Sequence, residues 1–270
     1  MAIPLLDHHG VSNPGRGPGS TTRLFFWVRG DRQHFSSPPV FDLTVNSINT
    51  WYDQSFYDHH LFATGTQRAT RVPSAITCFA QVNDSASFDG VNDREQSLVF
   101  EESFLSSSLQ TEFGVHIAFK ASNNTDATLF SIPYLGVPRD GISISLIPSG
   151  VVARVTLGLD CGDDGFVPTL FTIPGGLVYN DGNVHTISLV FDQNLLTDNL
   201  SLTVDGSQVS VTLETQGIFA NSSIITLGDY DSSGSFFFNG QLLEVIAQWT
   251  GDNTERAVIH DYYQRKWCSL

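Results

Sequence analysis

Hydrophobic and polar residues alternate with a period of two through most of this chain. Phe113, Val115, Ile117 and Phe119 fall on one side of an extended segment, with Gly114, His116, Ala118 and Lys120 on the other. Ile142, Ile144 and Leu146 alternate with serines, and Val151, Ala153, Val155 and Leu157 with Val152, Arg154 and Thr156. His185, Ile187, Leu189 and Phe191 line a further strand face. Leu200, Leu202 and Val204 lead into Asp205-Gly206, and Val209, Val211 and Leu213 follow. Two alternating runs around Asp-Gly predict a β-hairpin, because that dipeptide accepts the positive φ of a tight primed turn. Pro148-Ser149-Gly150, Pro174-Gly175-Gly176 and Asn180-Asp181-Gly182 punctuate the remaining runs. Recurrent short strands between such turns predict two antiparallel sheets packed as a sandwich.

Helical periodicity is convincing only near the C-terminus. Asn253 suits an N-cap, Glu255 the positive end of a helix, and Ile259, Tyr262, Tyr263 and Trp267 form an apolar stripe. The first 22 residues read differently. Asn13-Pro14-Gly15-Arg16-Gly17-Pro18-Gly19-Ser20 has no periodicity, and its prolines and glycines forbid a regular element. Residues 1–22 are therefore expected to form an extended arm, and residues 23–270 one sandwich domain. The apolar patch of Ile3, Leu5 and Leu6 ahead of the hinge is a candidate partner contact if the arm is a tether, or part of a frayed terminus.

Charge removes some function classes. With 28 acidic against 13 basic residues the net charge is −15, so no nucleic-acid partner is expected. No apolar run reaches the roughly 18 residues of a membrane span. Met1 to Asp7 lacks a basic region followed by an apolar stretch, so no secretory leader is expected. Cys78, Cys161 and Cys268 lie far apart without a zinc-like spacing, and reduced thiols of minor structural weight are the simplest expectation.

Three stretches resemble the concanavalin A-like lectin/glucanase superfamily, in its laminin G-like branch of the bacterial and phage type. Leu24-Phe25-Phe26-Trp27-Val28-Arg29-Gly30-Asp31 with Trp51-Tyr52-Asp53-Gln54-Ser55 is similar to that family's opening strand and following loop. Ser87-Phe88-Asp89-Gly90-Val91-Asn92-Asp93 resembles its F-D-G-x-D-D strand and turn. Asn239-Gly240-Gln241-Leu242-Leu243-Glu244-Val245-Ile246 and the closing Tyr263-Gln264-Arg265-Lys266-Trp267 resemble its last strand and helix. The resemblance spans residues 24 to 268 in order and implies a concanavalin A-like jelly-roll β-sandwich with a short C-terminal helix. One departure is Ser55-Phe56-Tyr57, where family members have Ser-Gly-Asn. The resemblance also implies a non-catalytic binding or structural role. A phage virion component, a head decoration or tail fibre protein within an oligomeric assembly, is the expected setting, with host glycan or neighbouring virion proteins as partners. A cellular carbohydrate-binding lectin module is the alternative, and a glycoside hydrolase or lyase is less favoured.

The residues carry little overt chemistry. Glycoside hydrolysis needs two carboxylates about 5–9 Å apart, as alternate residues of one strand would supply. Glu95, Glu101 and Glu102 lack that spacing, Glu244 is alone in its strand, and no G-x-S-x-G elbow exists. Calcium is the one cofactor expected, since hard cations need clustered oxygens. Its candidate ligands are Asp89 and Asp93, Asp160 and Asp163, and Asp229 and Asp231, each pair otherwise readable as solvated turn acids. Asp7-His8-His9 and Asp58-His59-His60 repeat a pattern, but adjacent residues of an extended segment point apart and chelate poorly. Trp27 and Trp51 read as scaffold residues. Phe236 to Phe238 are expected either to be buried on both faces or to leave a ring at a subunit contact. Tyr52, Asp53, Phe56 and Tyr57 form the strongest candidate ligand-binding cluster.

Overall fold

A computed structural model describes residues 24–30, 33–35, 47–55, 59–63, 65–78, 81–97, 112–122, 126–133, 141–147, 150–156, 179–192, 200–210, 224–229, 236–248 and 253–269. The expected arm with Ile3, Leu5 and Leu6 lies outside these residues, as do Phe56, Tyr57, Asp160, Asp163 and Asp231.

In chain order the strands are β1 (Leu24–Arg29), β2 (Gln33–Phe35), β3 (Ile48–Trp51), β4 (Leu61–Phe62), β5 (Thr70–Cys78), β6 (Gln81–Asp89), β7 (Glu95–Ser97) and β8 (Glu112–Ala121). They continue as β9 (Ala127–Pro133), β10 (Gly141–Ile147), β11 (Gly150–Thr156), β12 (His185–Asp192), β13 (Leu200–Val204), β14 (Ser207–Ser210), β15 (Thr226–Leu227) and β16 (Asn239–Gln248). Among the described residues one α-helix, α1 (Asn253–Trp267), follows β16 over the expected span. The first sheet runs β14-β13-β12-β8-β16-β6-β5, with β1 also paired to β16. The second runs β11-β10-β9-β15-β7-β4-β3-β2. Every strand pair in both sheets is antiparallel, as the alternation predicts.

Local chemistry explains several of these elements. Asp205 and Gly206 have φ of 48° and 72°, the primed turn expected between β13 and β14. The edge strand β5 carries Pro73, and its register shifts between Val72 and Ile76, where a missing N–H costs no ladder bond. The sandwich core fills the space between the sheets with Phe26, Trp51, Phe88, Ile117, Phe119, Phe130 and Val245, among others. Phe238 is buried there against Phe88 and Phe119, while Phe236 and Phe237 are half-buried just ahead of β16.

A second cluster lies on the far side of the first sheet, where α1 packs. Trp27, Ala118, Leu243 and Ile246 meet Ile259, Tyr263 and Trp267, all buried. A bulge between Leu242 and Glu244 makes this possible. Leu242 and Val245 both face the sandwich core although they are three residues apart, so Leu243 and Glu244 turn together toward the helix.

The expectation of reduced thiols is corrected. Cys78 at the end of β5 is joined by a disulfide to Cys268, 190 residues away, just past α1. Cys268 takes the left-handed conformation (φ 51°), and its N–H donates to the Gln264 carbonyl at 3.1 Å, closing the helix at a position usually given to glycine. The third cysteine, Cys161, lies outside the described residues.

Candidate ligand-binding face

β3 and β4 direct Trp51 and Leu61 into the core, so alternation places Thr50 and Phe62 on the opposite face of the second sheet. Just beyond the strand ends, the Tyr52 and His60 rings meet in a tilted contact, centroids 4.6 Å apart and planes inclined by 54°. Phe62 is 37% exposed, one of three large hydrophobic residues exposed among those described. Its cross-strand neighbour on the other side is Gln96 of β7, whose Nε2–H donates to Thr226 Oγ1 at 3.2 Å. The same register continues from Thr226 to Ser131 and Ser143. This face therefore sets an aromatic group beside a run of amide and hydroxyl groups. Tyr52, Gln96 and Thr50 are only partly covered, whereas Thr226, Ser131 and Ser143 are buried.

Asp53 holds this surface in shape. Its Oδ1 accepts the N–H groups of Trp27 and Ser55, both at 2.8 Å, and its Oδ2 accepts the Ser55 hydroxyl at 2.6 Å and the His59 N–H at 2.8 Å. Burial raises the Asp53 pKa, while these bonds pull it back. With four donors on it, the Asp53 carboxylate, expected as a ligand contact, has a positioning role. It ties the loop after β3 to the segment before β4 and so places Tyr52 next to His60. Burial, with the charge of His60 beside it, lowers His59 to about 4, leaving that ring neutral at pH 7. His60 Nδ1 is shielded and has no hydrogen-bond partner among the described residues.

Of the acidic-turn residues that are described, Asp93 and Asp229 are likewise turned inward and Asp89 is not. Asp89 is exposed, and its carboxylate accepts the N–H groups of Val91 and Asn92 at 2.7 and 3.2 Å, closing its own turn. Asp93 is buried and accepts the Asp89 N–H at 2.8 Å. Burial pushes Asp93 up to about 6; the Asp89 N–H lowers it and the Asp89 charge raises it. Asp229 is buried near Arg94, with Oδ2 3.5 Å from the guanidinium. The fold thus brings two expected calcium loops together, since a Cβ on Gly228 would lie 3.1 Å from the Asp93 carbonyl oxygen. Even so, among the described residues no three His, Cys, Asp or Glu side chains are grouped to hold a metal ion. Glu95 faces the sandwich core, and burial raises its pKa well above the ordinary carboxylate range.

Two polar centres escaped the sequence reading. Glu244 is fully buried beneath α1, where Oε1 accepts the Trp27 indole N–H at 2.6 Å and the Tyr262 hydroxyl at 2.9 Å. Its Oε2 accepts Lys266 Nζ–H and the Trp267 indole N–H, each at 2.8 Å. His185 lies between Asp205 and Asp181, at 2.9 and 3.1 Å, and bonds to these carboxylates raise its pKa against the effect of burial. The signal for the first was the co-occurrence of Trp27, Glu244 and Trp267 in the motifs. Nothing in the local sequence marks the second.

The class these features define is a two-sheet antiparallel β-sandwich with a helix packed on one outer face. No known protein-family model matches the chain, and no curated protein sequence matches it. Solved structures share the fold. The Trypanosoma rangeli sialidase in complex with sialic acid superposes with a TM-score of 0.55 at 12% identity, covering 93% of this chain and 34% of that one. The binding domain of Paraclostridial Mosquitocidal Protein 1 gives 0.54 at 14% identity, over 90% of this chain and 52% of that one. The botulinum neurotoxin serotype G binding domain gives 0.51 at 12%, over 78% and 51%. The chain matches about half the length of each of these two binding domains and a third of the sialidase. At such identities the likeness is one of fold. Among the described residues no helix is long and apolar enough to cross a membrane.

Proposed function

We propose that this domain is a non-catalytic, lectin-like carbohydrate-binding module of the concanavalin A-like, laminin G-like type. The observation that carries the reading is the face of Tyr52, His60 and Phe62 beside Gln96 and Thr50. An aromatic surface packs against the C–H face of a sugar ring, and neighbouring amides and hydroxyls exchange hydrogen bonds with its hydroxyls. The solved neighbours support it, two being the binding domains of a botulinum neurotoxin and of a mosquitocidal protein and one a sialidase solved with sialic acid. None of them supports the virion setting, so the cellular carbohydrate-binding reading takes precedence. The disulfide favours an oxidising, extracellular location.

A glycan array probed with the full chain tests the reading, followed by titration calorimetry on the strongest hit. Phe62→Ala and Tyr52→Ala should each weaken binding by roughly 1.5 kcal/mol, about tenfold, with unchanged folding. Wild-type affinity in both variants would remove the site from this face.

A further inference from the structure

We infer that Trp27 is a positioning residue for the Tyr52–His60–Phe62 face: Glu244, beneath α1, fixes its indole, and its main chain carries the loop that sets Tyr52 against His60. The inference deepens the carbohydrate-binding reading, which gives that face its ligand. Trp27 can join helix and face because β1 turns each of its sides to a different neighbour. One main-chain edge pairs with β16, where Trp27 lies opposite Ile246. Phe26 and Val28 enter the sandwich core, while the Trp27 side chain joins the cluster under α1. The other main-chain edge, at Phe25, Trp27 and Arg29, takes the segment after β3.

That attachment uses alternate residues of β1, as the pleat of a strand requires. The Trp27 N–H donates to Asp53 Oδ1 at 2.8 Å, and the Trp27 carbonyl accepts the Gln54 N–H at 2.6 Å. The Phe25 carbonyl accepts the Ser55 hydroxyl at 3.1 Å, and the Arg29 carbonyl accepts the Trp51 indole N–H at 2.8 Å. Asp53 then passes the constraint to the Ser55 and His59 N–H groups, each at 2.8 Å, and so to Tyr52 on one side and His60 on the other. On the helix side the Trp27 indole N–H donates to Glu244 Oε1 at 2.6 Å. Glu244 Oε2 accepts from Lys266 and Trp267 of α1, each at 2.8 Å. Both N–H groups of Trp27 thus end on buried carboxylates, Asp53 and Glu244, 5% and 0% exposed. Hydrogen bonds to charged acceptors are the stronger kind, and losing one here leaves a carboxylate short of a donor away from water. A shift of the indole therefore moves β1 and the loop together. Coupling is reciprocal, so a sugar that orders the face steadies α1 in turn.

Hydrogen exchange followed by NMR, on the full chain without ligand, tests the inference. In wild-type protein under increasing urea, the Trp27 indole N–H and the Ser55 and His59 amides should open as one unit, with the same opening free energy. Glu244→Gln weakens the acceptor and Trp27→Phe removes the donor, and neither touches the loop's own residues. Each should speed exchange at Ser55 and His59 about tenfold, as for one weakened hydrogen bond to a charged group. Ile187→Val is a mild core truncation on β12, with β8 and β16 between it and β1, and should leave both rates as they are. Unchanged rates in either helix-side variant, equal acceleration by Ile187→Val, or independent opening in the wild type overturns the inference. Should a variant fail to fold, the wild-type exchange decides alone. A glycan array without a binder removes the carbohydrate reading, and the coupling of Trp27 to the loop still stands or falls on these rates.

Discussion

Removing the Glu244 carboxylate tests how the helix is held to the sandwich. Four side chains donate to this one buried group: Trp27, Tyr262, Lys266 and Trp267. In Glu244→Ala the Lys266 ammonium loses its counter-charge in a site where only 9% of the residue is exposed. Breaking a buried pair from one side costs about 3–5 kcal/mol, and each stranded indole N–H costs a further 1–3 kcal/mol, roughly. Tyr262 is only partly covered and can turn to water, so the terms do not add in full. We expect a net loss of about 4 kcal/mol, a large share of the 5–15 kcal/mol typical of a domain. At roughly 2–4 °C per kcal/mol the melting point should fall by about 10 °C. Urea unfolding followed by tryptophan fluorescence measures it, with the disulfide kept intact. The double variant Glu244→Leu with Lys266→Met should recover a substantial part of the loss, because no charge is then buried alone. A midpoint within about 0.5 kcal/mol of wild type in Glu244→Ala would show that the donors reach water without cost, and would refute the account.

The remaining predictions concern the disulfide and the buried histidines. Cys78→Ser with Cys268→Ser opens a loop of 190 residues, and the chain-entropy relation sets the loss at up to about 5 kcal/mol. Non-reducing peptide mapping should find the two cysteines linked, and recovery of both as free thiols from native protein would contradict the structure. The histidines should separate by NMR. His185 should titrate above the ordinary 6.5, and Asp205→Asn should bring it down, because Asp205 is the main partner raising it. Its contribution to stability is then complete below about pH 6.5 and is lost as pH rises through the higher folded value. His116 is buried, with Nδ1 2.9 Å from the Ser188 hydroxyl, and burial, aided by the charge of Arg256, lowers it to about 3. Its sign is opposite: stability is intact above about pH 6.5 and declines as pH falls toward 3. A His116 resonance that titrates between pH 6 and 7 would overturn that assignment.

Much of the fold was legible in local pattern because strand alternation, turn residues and helix stripes are properties of neighbouring residues. The hairpin at Asp205-Gly206 and the helix Asn253–Trp267 fall where their own residues place them. The candidate face was half visible. Tyr52 was expected in it, but Phe62 and Gln96 join it only through strand pairing, which composition does not reveal. Asp53 was read as a contact because a loop acid beside aromatics suggests one, and its four inward donors appear only once Trp27 is packed beneath the loop.

What the sequence determined by itself, then, is the sandwich class, the sealing helix and the apolar faces, each set by periodicities of two or 3.6 residues. Tertiary structure decided which distant residues meet. Cys78 finds Cys268 across 190 positions. Glu244 turns to the helix only because the bulge after Leu242 resets the alternation of β16. A one-residue slip moves every following side chain to the other face of a sheet, and that slip is chosen by the packing of the whole interior rather than by the strand's own residues.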